Sequence, residues 1–146
     1  MEVFIAKVED KQRYYEICLD NKFLDEGDLY PQNAHLFDIR RNDEHIGYAS
    51  IEYKEDVNAV CIWGFYVEPE FRGKGWGTEA FYEVLEKARA LFPNATPYVN
   101  VMPNNKRAQH IYLKFGAFVY VDDKATKYVS PIGEYQIVFN KRGVRI

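Results

Sequence analysis

No part of this chain restricts its fold more than residues 59–78, where a strand-like run passes through three alternate glycines into a helix. The run Ala59-Val60-Cys61-Ile62-Trp63-Gly64-Phe65-Tyr66-Val67 is apolar almost throughout and does not alternate with polar residues. A strand of that kind needs cover on both faces, which makes it the central strand of a sheet. Beyond Pro69, the residues Phe81, Val84, Leu85, Ala88 and Phe92 recur at i, i+3, i+4, i+7 and i+11, the repeat of a helix with one apolar face. Pro93 and Asn94 close that helix. Gly64 interrupts the strand, and an interior glycine marks a bulge or a close approach to a ligand.

The rest of the chain supplies partners for this strand and helix. Residues 3–8 read as a strand, and residues 11–23 place Tyr14, Tyr15, Cys18 and Leu19 at helical spacing. The segment DEGDLYPQN from 25 to 33 is broken by Gly27 and Pro31; it is either a loop lying over a ligand or a plain connector. Residues 36–40 and 46–53 form two strands around a tight turn at Asn42-Asp43-Glu44, with a further turn at 54–56, so this part is an antiparallel meander. Residues 98–102 form the next strand. Asn104 or Asn105 then caps a helix whose Ala108, Ile111, Tyr112 and Phe115 repeat at i, i+3, i+4 and i+7, and Gly116 stops it. Residues 118–122 and 134–140 make a closing pair of strands joined by a polar loop containing Pro131 and Gly133. With 146 residues and no repeat, linker or low-complexity tract, the chain reads as one α/β (α+β) domain over 1–146.

Composition removes several classes of function. Lys and Arg number 19 against 22 Asp and Glu, a net charge of −3, so there is no basic field to draw nucleic acid. A mildly acidic balance suits a cationic acceptor such as an amine. Cys18 and Cys61 lie far apart and outside any paired spacing; they imply neither a disulfide framework nor a zinc site, and they fit a reducing cytoplasm. The opening MEVFIAKVEDKQ has no basic start, apolar stretch and cleavage site in succession, and no segment reaches membrane-spanning length, so no membrane partner is expected.

The chemistry concentrates in Arg72-Gly73-Lys74-Gly75-Trp76-Gly77-Thr78, which joins the buried strand to the helix. Glycines remove bulk and permit positive φ, so successive N–H groups can turn inward around a phosphate at a helix start. Arg72 and Lys74 add full charges. The loop is not GxxxxGK[ST], and Gly73-x-Gly75-x-Gly77 lacks the last interval of the dinucleotide fingerprint. Nucleotide hydrolysis and hydride transfer lose support accordingly. A loop of this composition also serves simply to pack a helix on a sheet.

Arg72, Gly75 and Gly77, preceded by Val67-x-Pro69, match the pattern [QR]-x-x-G-x-[GA]. Asn105, Ala108, Tyr112, Gly116 and Phe118 match N-x-x-A-x-x-x-Y-x-x-x-G-F with one extra residue, Ala117, before the phenylalanine. In both segments, from Val60 to Phe118, the chain resembles the GNAT superfamily of N-acetyltransferases. The resemblance implies a mixed, mostly antiparallel sheet flanked by helices and splayed between its fourth and fifth strands, that is, between the strand ending at Val67 and the one starting near Tyr98. It implies acetyl-CoA as cosubstrate in that cleft, no metal, and a small-molecule or peptide amine as acceptor. On the same ground, the backbone of Phe65, Tyr66 and Val67 pairs with the pantetheine amides. Gly73, Lys74, Gly75, Trp76, Gly77 and Thr78, helped by Arg72, hold the pyrophosphate, and Asn105 hydrogen-bonds the cofactor arm. The Val67 N–H becomes an oxyanion donor, and Tyr112 protonates the departing thiolate. Residues 20–45, where such proteins bind the acceptor, carry no recognised motif. Strand edges allow a homodimer, which no segment requires.

An amine must be neutral to attack, so the reaction needs a group that takes its proton. Read from its helix alone, Tyr112 is a core residue. Family members that acetylate protein amino termini carry a glutamate five residues before the asparagine, where this chain has Asn100, and an amide is no base. Glu52, Asp38 or a relayed water are the remaining bases. His110 lies off the apolar stripe of its helix, as an exposed residue or a base. His35 and His45 sit beside turns without an i+4 partner and point to no metal. Cys61 is a small strand residue or an acyl-accepting nucleophile. Ser50 and Ser130 lack a Gly-x-Ser-x-Gly context, which sets a serine hydrolase aside. Two rivals to direct acetyl transfer in a ternary complex stay open: a CoA-binding regulatory or scaffold module, and an unrelated enzyme that uses the loop for a nucleotide.

Overall fold

The computed structural model describes residues 3–118 and 134–139. Its strands are β1 (Val3–Lys7), β2 (Ala34–Arg41), β3 (Glu44–Lys54), β4 (Ala59–Val67), β5 (Thr96–Val101), β6 (Ala117–Phe118) and β7 (Tyr135–Val138). Its helices are α1 (Lys11–Asp20), α2 (Trp76–Leu91) and α3 (Lys106–Tyr112). The strands form one seven-stranded sheet in the order β1-β2-β3-β4-β5-β7-β6. Every neighbouring pair is antiparallel except β4 with β5. This is the mixed, mostly antiparallel sheet that the resemblance implies, with β7 lying between β5 and β6.

Successive strand residues point to opposite faces, and β3 shows which helix covers each. Ala49 and Ile51 join the cluster built on α2, whereas Tyr48 joins the cluster built on α1. Helix α2 buries Ala80, Phe81, Val84, Leu85 and Ala88, the stripe read from its period. Each of the larger three stabilises the fold by roughly 1.5–3 kcal/mol. Helix α1 buries Tyr14, Ile17 and Cys18. Asp10 starts it by accepting a hydrogen bond from the Arg13 N–H at 3.0 Å.

Strand β4 is where the sheet parts. Its pairing with β5 runs from Ala59↔Thr96 through Val60↔Pro97 to Cys61↔Tyr98 and stops. From Tyr98 to Val101, β5 pairs with β7 instead. Residues 62–67 keep only β3 as a neighbour, so the expected gap between the fourth and fifth strands is present. The break coincides with a bulge: Ser50 faces Trp63 while Tyr48 faces Tyr66, which sets one extra residue into β4. Gly64 sits there at φ +63, a conformation that costs a side-chain-bearing residue dearly. The Tyr14 hydroxyl donates to the Gly64 carbonyl at 2.9 Å and lies 2.8 Å from Ser50 Oγ. A Cβ at position 64 would stand 2.3 Å from that hydroxyl oxygen.

Two details depart from the sequence reading, the end of α1 and the place of Glu44, and of the two readings of residues 25–33 the connector holds. Helix α1 ends at Asp20, and the chain folds back so that the Phe23 N–H bonds the Cys18 carbonyl at 2.8 Å. The 25–33 segment is a connector held along α1, by Tyr15 donating to the Asp28 carbonyl at 2.5 Å and Tyr30 to the Lys11 carbonyl at 2.8 Å. Glu44, expected in a turn, already belongs to β3, which leaves Asn42 and Asp43 as the turn. Most of the 118–122 strand, the Pro131–Gly133 loop and Ser130 lie outside the described residues.

Candidate active site

A cavity of about 690 Å³ lies against the open end of β4, at Phe65, Tyr66 and Val67, and runs past the glycine loop to α3. Of the residues expected to hold a cofactor, Phe65, Tyr66, Val67, Arg72, Gly73, Gly75, Gly77, Thr78 and Asn105 line it. Lys74 and Trp76 do not: the Lys74 ammonium lies 5.5 Å from the Trp76 ring centre, and Arg41 covers the same ring at 4.0 Å.

The peptide at Val67 faces the gap, and the pairing explains why. The Glu68 N–H bonds the Ile46 carbonyl of β3 at 2.8 Å. Neighbouring peptide groups of a strand point to alternate edges, so the N–H and carbonyl of Val67 point away from β3. The carbonyl is met there by Arg72 Nε at 2.7 Å, and the guanidinium lies 5.2 Å from the Tyr66 ring. Arg72 thereby ties the loop to the end of β4. The Val67 N–H points to the same open edge.

Beyond Arg72 the chain turns through Gly73 and Gly75 at φ +76 and +82, and Gly75 serves as the residue preceding α2. Gly77 brings α2 against α3, since a Cβ there would lie 3.1 Å from Ile111 Cδ1. Asn105 caps α3, its Oδ1 accepting from the Ala108 N–H at 3.1 Å; its side-chain amide protons are what it can offer a cofactor.

Tyr112 is 6% exposed and is absent from the cavity lining. It packs against Phe81 at 4.7 Å and Phe65 at 6.2 Å between ring centres. Burial, with a smaller effect of Cys61, raises its pKa well above the usual phenol value, so it stays protonated at neutral pH. Cys61 is pushed up to about 11, chiefly by burial, which suits a wall residue rather than a nucleophile.

The two candidate bases, Asp38 and Glu52, stand apart from the cavity lining. Asp38 has both oxygens engaged, by Arg40 at 3.1 Å and His45 at 2.9 Å. Glu52 faces Cys61 across the ladder and pairs with Lys54 at 3.0 Å. His45, read only as a turn residue, bridges Asp38 to Glu68, its Nε2 lying 2.8 Å from Glu68. Arg13 of α1 completes the network with bonds of 2.5 and 3.0 Å to the same carboxylate. Burial works to raise the Glu68 carboxyl, but hydrogen bonds from Arg13 and His45 outweigh it and hold it below the ordinary glutamate value.

Sequence reasoning missed Lys106, Arg107, Lys114, Asn21 and Phe23 as cavity residues, and His110, left open between surface and site, is exposed and lines the cavity as well. The basic ones were legible as a run at three- and four-residue steps along α3. Asn21 and Phe23 were not, because they reach the cavity only through the early end of α1.

A model of the acetyltransferase (GNAT) family matches residues 3–117. No curated protein matches the chain in sequence. Among solved structures, Escherichia coli ElaA is 20% identical with a TM-score of 0.64, over 95% of this chain and 99% of its own. A chimera of the Vibrio cholerae spermidine N-acetyltransferase SpeG with hSSAT is 12% identical with a TM-score of 0.70, over 97% and 96%. The PaiA N-acetyltransferase from Thermoplasma acidophilum, solved with coenzyme A, is 12% identical with a TM-score of 0.65, over 96% and 99%. At such identities the structural likeness is one of fold, and the family match, which spans most of the chain and both motif segments, establishes that this protein belongs to the GNAT acetyltransferases.

Proposed function

We propose that the chain transfers the acetyl group of acetyl-CoA to a primary amine, by direct attack in a ternary complex. The observation that carries this is the cavity itself: an unpaired strand edge, a glycine turn free of side chains and a cationic lining meet in one space. A CoA-type ligand needs those three surfaces, for its amides, its diphosphate and its remaining charge. Acetyl-CoA, when bound, supplies an acyl thioester. Phe65, Tyr66 and Val67 would offer it a strand edge, Gly73, Gly75, Gly77 and Thr78 a diphosphate cradle, and Asn105 a side-chain donor. The Val67 N–H would then stabilise charge developing on the attacked carbonyl.

Proton removal from the amine is assigned to a relayed water, with Glu52 better placed to receive the proton than Asp38, whose two oxygens are already bound. Tyr112, which packs against the cleft residue Phe65, is the donor assigned to the departing sulfur. A reducing cytoplasm agrees with the two buried free thiols. Titration calorimetry with CoA and acetyl-CoA, followed by thiol release against a panel of amines, tests the reading. Failure to bind either form overturns it.

A second reading has its own observation: no described carboxylate lines the cavity, and Tyr112 packs in its wall. A CoA-binding regulatory module would look the same at rest. Tight CoA binding with no thiol released across polyamines, aminoglycosides, amino acids and peptides would favour it.

A further inference from the structure

The charge of the cavity runs against that of the chain. The sequence carries −3 overall, yet Arg72, Lys106, Arg107 and Lys114 line the cavity with no Asp or Glu among its described residues. Arg72 is partly committed to the Val67 carbonyl. Lys106, Arg107 and Lys114 are all exposed, and none forms an ion pair with a carboxylate among the described residues.

Positions 106, 107, 110 and 114 follow one another at helical steps, so they share one side of α3 and of the turn that follows it. Ile111 beside them butts against Gly77 at the start of α2, which fixes this basic side next to the glycine loop. The loop's own N–H groups already suit a diphosphate. Three further cations therefore call for a further anion on the same ligand.

Resting on the acetyl-CoA reading, we propose that Lys106, Arg107 and Lys114 recognise the 3′-phosphate of the CoA ribose, so that this chain discriminates CoA from 3′-dephospho-CoA. Charge-assisted bonds to a phosphate monoester are the strong kind, and they weaken with salt where solvent reaches them.

The experiment is calorimetric titration of the intact protein with CoA and with 3′-dephospho-CoA, at low and high salt. The expected result is CoA binding about thirtyfold more tightly, a gap that narrows as salt rises. In Lys106→Gln/Arg107→Gln/Lys114→Gln the two ligands should bind within about threefold of each other, with the dephospho-CoA affinity unchanged. The single variant Lys114→Gln, with a partial loss, serves if the triple variant proves unfolded by circular dichroism. Equal binding of both ligands by the wild type overturns the assignment while leaving the acetyl-CoA reading intact, as does full discrimination by a folded triple variant. Binding of neither ligand overturns both.

Discussion

From Ala59 to Cys61, β4 is hydrogen-bonded along both edges, whereas from residue 62 to Val67 it is bonded only to β3. The residues of the two halves are equally apolar. Apolar side chains therefore record that the faces of a strand are covered and say nothing about its edges. The edge is decided by the Gly64 bulge, which redirects β4, and by β7, which draws β5 away. Backbone groups left at such an edge need partners. In the open half one carbonyl finds Arg72, and the adjacent N–H is the group to which the catalytic reading assigns the oxyanion.

Substitutions that affect one half and spare the other break or sharpen this contrast. The largest effect belongs to Gly64→Val, which sets a branched side chain at positive φ into the Tyr14 hydroxyl. It should cost about 3 kcal/mol in urea unfolding and weaken CoA binding together with stability. Tyr112→Phe should leave the fold and CoA affinity alone and lower kcat about a hundredfold in a thiol-release assay, the size expected of a lost proton donor. An unchanged kcat removes Tyr112 from the mechanism. In the closed half, Val60→Ala should cost about 2 kcal/mol of stability and leave CoA affinity within twofold, since the side chain is fully buried on the α2 face.

The smallest effect concerns pH. The Glu68 carboxyl is held below its ordinary value of 4.5 in the fold. Its folded pKa is depressed, so its contribution is present above the unfolded value and is lost as pH falls through the folded one. Thermal melts between neutral pH and acid should show Glu68→Gln less stable by about 1 kcal/mol above pH 4.5, with the difference closing as pH falls further. A difference that persists at low pH would mean that shape rather than charge holds the network.

How much of this was legible in the sequence follows the range of the interaction. The stripe of α2 repeats at the helical period within a single element, and the glycine loop with its motif residues is contiguous, so both could be read directly. The Arg13, His45 and Glu68 network unites residues 55 and 23 positions apart. Nothing local marks them, since Glu68 reads as a loop acid before a proline and His45 as a turn residue. His110 and its basic neighbours show a subtler failure. His110 is exposed, one of its two readings, but exposure does not distinguish open solvent from the wall of a cleft that another element closes. Tyr112 keeps both meanings: its period marks a core residue, its motif marks a site, and it packs against the cleft residue Phe65.

The hydroxyl of Tyr14 touches α1's partner strand through Ser50 and the kinked strand through Gly64. Helix α1 leads into Asn21 and Phe23, which line the cleft, while the kink precedes Phe65, Tyr66 and Val67, which line it too. A single oxygen thus ties both lining segments to the same point. Amide hydrogens beside the kink and along α1 should exchange in step, as one cooperative unit, rather than each segment fraying by itself.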